Sequence, residues 1–293
     1  MHADSYYEIG SSHVACEDYA LSGTKDGLSW AIVSDGCSSS KHTDVGARIL
    51  AHTAKDVLLR MHVLKRLTDK RFMEDGGIES EFYDMVLERA LAARASLRLD
   101  YDVFDATLLT AFAVRHPGEP DPVWGIFTIG DGSVVVRHAS GFHDVHLSYQ
   151  SNAPYYISYR MCREKDEGYR QLFGPDRRLV VTQTYYKDDG GAEQNEWYND
   201  PYLEYSYSIG SSPPILDPPV RIMLFSDGLD SYQNKDASTA FQREELLGKV
   251  TGYKVLAGEF VHRCMRAFRK ECEKAGVSHY DDVSCAAISL VEV

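Results

Sequence analysis

Two apolar runs rich in β-formers, Leu28 to Ser34 and Val220 to Ser226, each stop abruptly in Asp-Gly, at Asp35-Gly36 and at Asp227-Gly228. A short apolar run that ends in a turn dipeptide reads as a buried strand with a carboxylate at its tip. The pattern recurs. Gly130-Asp131-Gly132 follows the run Val123 to Ile129, Asp281-Asp282 precedes the run Val283 to Val291, and Glu17-Asp18 precedes a strand near the start. Carboxylates at the tips of buried strands are poorly solvated and repel one another where they converge, so a fold that gathers them needs a cation. Hard oxygen donors with no histidine or cysteine partner at these strand-tip positions select magnesium, manganese or calcium over zinc. Two such ions close together activate a water and bind a phosphoryl group. Any one Asp-Gly is also an ordinary turn, however, and spacing alone does not bring together residues 192 apart, 227 minus 35.

The rest of the chain supplies a scaffold of strands and helices. Helical spacing is expected from about Thr43 to Leu67, with Val45, Ile49, His52 and Leu58-Leu59 on one face, and from about Glu79 to Leu99, with Phe82, Val86 and Leu91. Gly76-Gly77 separates them and makes them an antiparallel pair. Ala106 to Val114, Val123 to Ile129 and Ser133 to His138 read as a meander of antiparallel strands. From about Ser148 to Tyr207 the character changes, since 11 of the chain's 19 tyrosines fall there, and irregular strands with an aromatic surface are expected. Ser212 to Pro219 leads into the second Asp-Gly strand. Helices from about Ser238 to Val250 and Val255 to Lys274 follow, and the strand Val283 to Val291 closes the chain. No linker and no long repeat divides it, so residues 1–293 read as a single α+β domain.

Composition narrows the function. Thirty-one basic against 44 acidic residues give a net charge of −13, which repels a nucleic-acid backbone. The basic run Lys65 to Arg71 reads as the solvated end of a helix. No apolar stretch reaches the roughly 18 residues of a membrane-spanning helix, and the opening MHADSYYEIG lacks the pattern of an export signal. A cytoplasmic address is the expectation. Six cysteines without a CxxC pair fit reduced thiols rather than a zinc site, and His138, His143 and His146 lie in a strand-like stretch as exposed or hydrogen-bonded imidazoles.

In order, Cys16-Glu17-Asp18, Val33-Ser34-Asp35-Gly36-Cys37, Val45-Gly46-Ala47-Arg48, Ile129-Gly130-Asp131-Gly132, Leu224-Phe225-Ser226-Asp227-Gly228-Leu229 and Asp281-Asp282-Val283-Ser284 resemble the motifs of the metal-dependent type 2C serine/threonine phosphatases. Gly10-Ser11-Ser12-His13 and Ser34 to Ser40 look like a bacterial subgroup of that family, with a role in bacterial signalling. The resemblance implies a four-layer αββα sandwich, two facing antiparallel sheets flanked by helix pairs, with a Tyr-rich variable flap at about 148–210. It also implies two Mn or Mg ions and a third, weaker one. Asp35 would bridge the two ions with the Gly36 carbonyl beside it, and Asp227 and Asp281 would complete one shell. Glu17 and Asp18 would hold metal-bound waters, and Asp131 would serve the third ion.

The implied reaction is attack of a metal-bridging hydroxide on phosphoserine or phosphothreonine, with no phosphoenzyme. The expected partner is a phosphorylated protein, with no nucleic acid or membrane, and the chain is expected to be a monomer. Two departures from the family stand out. His13 occupies the place of a phosphate-binding arginine, and Asp281-Asp282 replaces the commoner Asp-Asn, which favours Asp281 as the ligand with Asp282 as the fallback. Cys37 reads as a small packed residue. The alternatives are an inactive relative that keeps the fold as a binding module, and a phosphatase of small phosphate esters.

Overall fold

A central strand of the middle layers splits its side chains between two cores. In the strand Leu28–Ser34, Leu28, Trp30 and Ile32 face one core while Ala31 and Val33 face another, as the two-residue period of a strand dictates. The computed structural model describes all residues except 70–76, 120, 175–177, 200–204, 209–218, 237 and 292–293, and only the backbone of 199 and 205–208. Its strands are β1 His2–Glu8, β2 Tyr19–Lys25, β3 Leu28–Ser34, β4 Leu108–Val114, β5 Val123–Ile129, β6 Gly132–Arg137, β7 Gly141–Tyr149, β8 Leu179–Lys187, β9 Ala192–Asn199, β10 Tyr205–Ser208, β11 Arg221–Phe225, β12 Tyr232–Gln233, β13 Ser278–His279 and β14 Val283–Ser289. Its helices are α1 Thr43–Val63, α2 Gly77–Leu97, α3 Ile157–Met161, α4 Arg163–Phe173, α5 Arg243–Val250 and α6 Phe260–Ala275.

Among the described residues, beside the short pair β12-β13, two large antiparallel sheets result, one of seven strands ordered β1-β14-β11-β6-β7-β8-β9 and one of five ordered β10-β5-β4-β3-β2. Between them lies a core of mostly small and branched residues, including Ala31, Val33, Leu109, Ala111, Val134, Val145, Leu224, Ala286 and Ile288. The outer face of the five-stranded sheet packs on α1 and α2 through Leu50, Leu58, Phe82 and Val86, and Phe82 stacks on Phe127 at 4.1 Å. The outer face of the seven-stranded sheet packs on α5 and α6 through Met223, Phe225, Leu247, Phe260 and Phe268. This is the four-layer αββα sandwich.

Four local expectations change. The buried face of α1 is Gly46-Ala47, Leu50-Ala51, Ala54, Val57-Leu58 and Met61, whereas Val45 and His52 are exposed and Ile49 and Leu59 only half-buried. Small residues decide this, because they let the helix press close to the chain beneath it: a Cβ on Gly46 would lie 1.6 Å from the Val103 carbonyl oxygen. The expected meander breaks at Gly130-Asp131-Gly132, since β4 and β5 pair in the five-stranded sheet while β6 belongs to the other. The left-handed backbone at Gly130 (φ 89°) and the strained φ of 128° at Gly132 carry the chain from one sheet to the other. The Tyr-rich stretch is more regular than expected. It holds α3 and α4, with Tyr155, Tyr159 and Tyr169 ring to ring, then the ladder β8–β9. The helix expected from Ser238 begins at Arg243, because Ser238 and Thr239 pair back onto Asn234 and Gln233. In the basic run Lys65 to Arg71 and at Gly76, residues 70, 71 and 76 lie outside the described residues, as does most of Ser212 to Pro219.

Candidate functional site

Antiparallel register gathers the acid-bearing strand ends on one edge of the sandwich. Tyr19 pairs with Ser34, so Asp18 and Asp35 leave neighbouring strands side by side. Phe225 pairs with Ser133 on one flank and with Cys285 on the other, which sets Asp227 between the Asp131 turn and Asp281-Asp282. The backbone around Asp35 is pinned. Its N–H donates to Thr107 Oγ1 at 3.0 Å and its carbonyl accepts from Thr107 N at 2.8 Å. On the opposite sheet, Ser226 N donates to Ser284 O at 3.0 Å and Ser284 N donates to Ser226 Oγ at 2.9 Å. Gly228 lies against the neighbouring strand start, where a Cβ would sit 1.7 Å from the Asp282 carbonyl oxygen.

The charges confirm that these acids share one space. Asp18 is 1% exposed, and among the described residues neither of its carboxylate oxygens finds a hydrogen-bond donor of normal geometry, although Asp35, Ser226 and Ser284 approach it. Burial pushes its carboxyl up to about 7. The Asp35 carboxyl is held well above the usual range, first by burial and then by the charges of Asp18 and Asp227, both within hydrogen-bonding reach. Asp131 is raised by burial and then by Asp227 and Asp281. Asp281 is raised by burial and then by Asp227, and Glu17 is raised by burial. Asp227 stands exposed at the mouth. Buried oxygens without donors, in a set of mutually repelling carboxylates, fit divalent cations, since a hard cation satisfies both the charge and the lone pairs.

Asp281 and Asp282 do different things. Asp282 is 2% exposed and accepts from Gly10 N at 2.7 Å and from Glu17 N at 2.6 Å, so it ties down the loop that carries Glu17 and Asp18. Asp281 points into the acid cluster. His13 lies between them, with Nδ1 3.1 Å from Asp282 Oδ2, off the hydrogen-bond line, and Nε2 3.4 Å from Asp281 Oδ1. Burial alone lowers its basicity, but Asp282, Asp281 and Glu17 outweigh that and leave it raised. His13, Glu17 and Asp282 are the one set of three such side chains among the described residues whose ligand atoms all lie within 4.8 Å of one another. Each Asp282 oxygen already accepts a backbone N–H, so in this trio Asp282 braces the loop at the rim of the acid cluster.

A further acid, Asp105, braces the site without standing in any of the motifs above. This buried carboxylate accepts from Ser40 Oγ at 2.7 Å, from Lys165 Nζ at 2.7 Å and from Ser158, and its carbonyl accepts from Cys37 N at 2.8 Å. It thereby fastens the loop after Asp35 to α3 and α4. The signal was present, because Asp105 precedes an apolar strand run just as Asp282 does. Cys37 is half-buried, with Sγ 3.1 Å from Ser39 Oγ, and burial pushes the Cys16 thiol up to about 12, so Cys16 has no thiolate character near neutral pH. His138 and His143 are buried ring against ring, and burial lowers His143 to about 4.

The family model described as protein phosphatase 2C matches residues 9–257. Among solved structures, the serine/threonine phosphatase Stp1 from Staphylococcus aureus is similar at a TM-score of 0.53 and 11% identity, over 99% of this chain and 95% of that one. PppA, a regulatory component of the type VI secretion system in Pseudomonas aeruginosa, is similar at 0.50 and 13%, over 99% and 97%. A sex-determining protein of C. elegans is similar at 0.53 and 14%, over 99% of this chain but 65% of its own. No curated protein matches the sequence significantly.

Proposed function

The chain belongs to the protein phosphatase 2C family, and on that premise we propose that it is a metal-dependent phosphoserine/phosphothreonine protein phosphatase. The observation that carries the proposal is Asp18, 1% exposed beside Asp35 and Asp227, with neither carboxylate oxygen meeting a donor of normal geometry among the described residues. Divalent cations, Mn²⁺ or Mg²⁺, when bound there supply the positive charge that polarises the phosphoester and the attacking water.

The chain's own residues prepare that space. Asp35, the Gly36 carbonyl, Asp227 and Asp281 hold the cations, with Asp131 for a further, weaker one. Glu17 and Asp18 orient water at the cluster. Asp282 positions both of them through its two backbone hydrogen bonds. His13, whose basicity the carboxylates around it raise against the effect of burial, stands at the rim where a phosphoryl oxygen arrives. Of the Tyr-rich stretch, α3 and α4 are latched to the Asp35 loop through Asp105 and flank the substrate within a single phosphatase domain.

The test is hydrolysis of p-nitrophenyl phosphate and a phosphothreonine peptide by the full chain with Mn²⁺, with and without EDTA, for the parent and Asp227→Asn. Metal-dependent turnover that collapses in the variant supports the reading. A folded, metal-loaded parent that turns over neither substrate removes the enzyme reading and leaves a binding module. Turnover of the small ester alone moves the substrate class to small phosphate esters.

A further inference from the structure

Asp131 and Asp227 stand on different turns and repel each other, yet both turns end on the same side chain. Arg243, the first residue of α5, sends Nε and Nη2 to Asp144 on β7 at 2.8 and 2.9 Å. The same Nη2 donates to Ser133 Oγ at 2.6 Å, two residues after Asp131. Its Nη1 donates to Asp230 Oδ1 at 2.6 Å, on the short helical turn that begins at Asp227. The Asp144 side chain is 4% exposed, and its strand is paired to β6 at Val135, so the fork is anchored in the sheet. His146 closes the cluster, with Nδ1 3.2 Å from Ser133 Oγ and 3.9 Å from Asp230 Oδ2.

We propose that Arg243 is a positioning residue that sets the separation of the Asp131 turn from Asp227, and through it the affinity for the further, weaker divalent cation assigned above to Asp131. The proposal rests on the metal-dependent reading above and deepens it. A planar guanidinium delivers its donors in a rigid fork, so it fixes direction as well as charge, whereas an ammonium offers one mobile point charge. Residues one layer behind metal ligands commonly change metal affinity by about 10- to 100-fold when altered.

Mn²⁺ is titrated calorimetrically into metal-stripped full-length parent, Arg243→Lys and Ser133→Ala, with thermal unfolding measured alongside. Ser133→Ala cuts the link to the Asp131 turn and leaves the Arg243–Asp144 pair intact, so it decides the matter if Arg243→Lys does not fold. The expected result is that the weaker Mn²⁺ component loses affinity by about tenfold in Arg243→Lys and about threefold in Ser133→Ala. The tighter component stays at the parent value. The Mn²⁺ concentration for half-maximal hydrolysis of p-nitrophenyl phosphate rises in parallel, with KM for the ester unchanged at saturating Mn²⁺. Folded variants that titrate like a Mn²⁺-binding parent overturn the role of Arg243 alone. A parent that takes up no Mn²⁺ overturns the metal-dependent reading, and this role with it.

Discussion

Replacing Gly228 by alanine tests whether Asp227 and Asp281-Asp282 owe their spacing to one close backbone approach. The backbone of Gly228 lies in a region open to any L-residue, so the added methyl is opposed only by its neighbours. Those neighbours are unyielding. The Cβ would meet the Asp282 carbonyl oxygen at 1.7 Å and its carbon at 2.8 Å. An ordinary carbon–oxygen contact is about 3.3 Å, so something must move by about 1.6 Å. The Asp282 segment is held by its side chain on Gly10 N and Glu17 N, and the Asp227 segment by Ser226 N on Ser284 O. The displacement therefore opens the acid cluster. A misplacement of about 1 Å near reacting groups lowers turnover about 100-fold, or about 2.7 kcal/mol of transition-state stabilisation. Overpacking adds a stability loss of about 1–3 kcal/mol. The assay is Mn²⁺-dependent hydrolysis of p-nitrophenyl phosphate together with thermal unfolding. Gly168→Ala, in α4 with nothing within 4 Å of the new Cβ, is the matched control, and it should be neutral or stabilising by up to about 1 kcal/mol. If Gly228→Ala keeps the parent's kcat/KM within twofold and its unfolding temperature, the spacing argument is wrong.

Asp282→Asn places an amide NH₂ against one of two backbone N–H groups and should destabilise by about 1–3 kcal/mol, read as a lowered urea midpoint; an unchanged midpoint refutes it. In the ion-free protein Asp18 is held up at about 7 against 3.8 for an ordinary aspartate, so between those values the folded state keeps a proton that the unfolded chain has released. Stability should therefore fall as pH rises from about 4 to about 7, by about 4 kcal/mol from this group, and the thermal shift on adding Mn²⁺ should be larger at pH 8 than at pH 5. An ion-free unfolding temperature that climbs across that window contradicts this. Phe82→Ala removes the ring stacked on Phe127 and should lose about 3–5 kcal/mol; a loss under 1 kcal/mol in chemical denaturation would mean the outer core collapses to fill the space. His13→Arg puts a permanent charge at the rim and should lower KM for a phosphopeptide, and unchanged kinetics remove His13 from phosphate capture.

Much of the scaffold was legible because hydrophobic period is local. The strand Val123–Ile129 is where the pattern of apolar residues puts it, and α2 and α6 are displaced by only a few residues at their ends. The face of α1 was misread because Gly46, Ala47, Ala51 and Ala54 are small rather than strongly apolar, and their burial is set by how near the helix approaches the sheet. The Gly130-Asp131-Gly132 turn ends the expected meander unannounced, because a turn dipeptide does not say which sheet receives the next strand.

By itself the sequence determined the chemistry available: five acid-bearing strand ends, no competing soft ligands at those positions, and an order of motifs that resembles one phosphatase family. Only the tertiary structure decided which carboxylates meet, that Asp282 holds the N-terminal loop while Asp281 faces the cluster, and that Asp105 and Arg243 fasten its edges. The reason is physical. Strand propensity acts over a few residues, whereas the meeting of Asp18, Asp35, Asp131, Asp227 and Asp281 depends on antiparallel registers that only two sheets packed face to face can set.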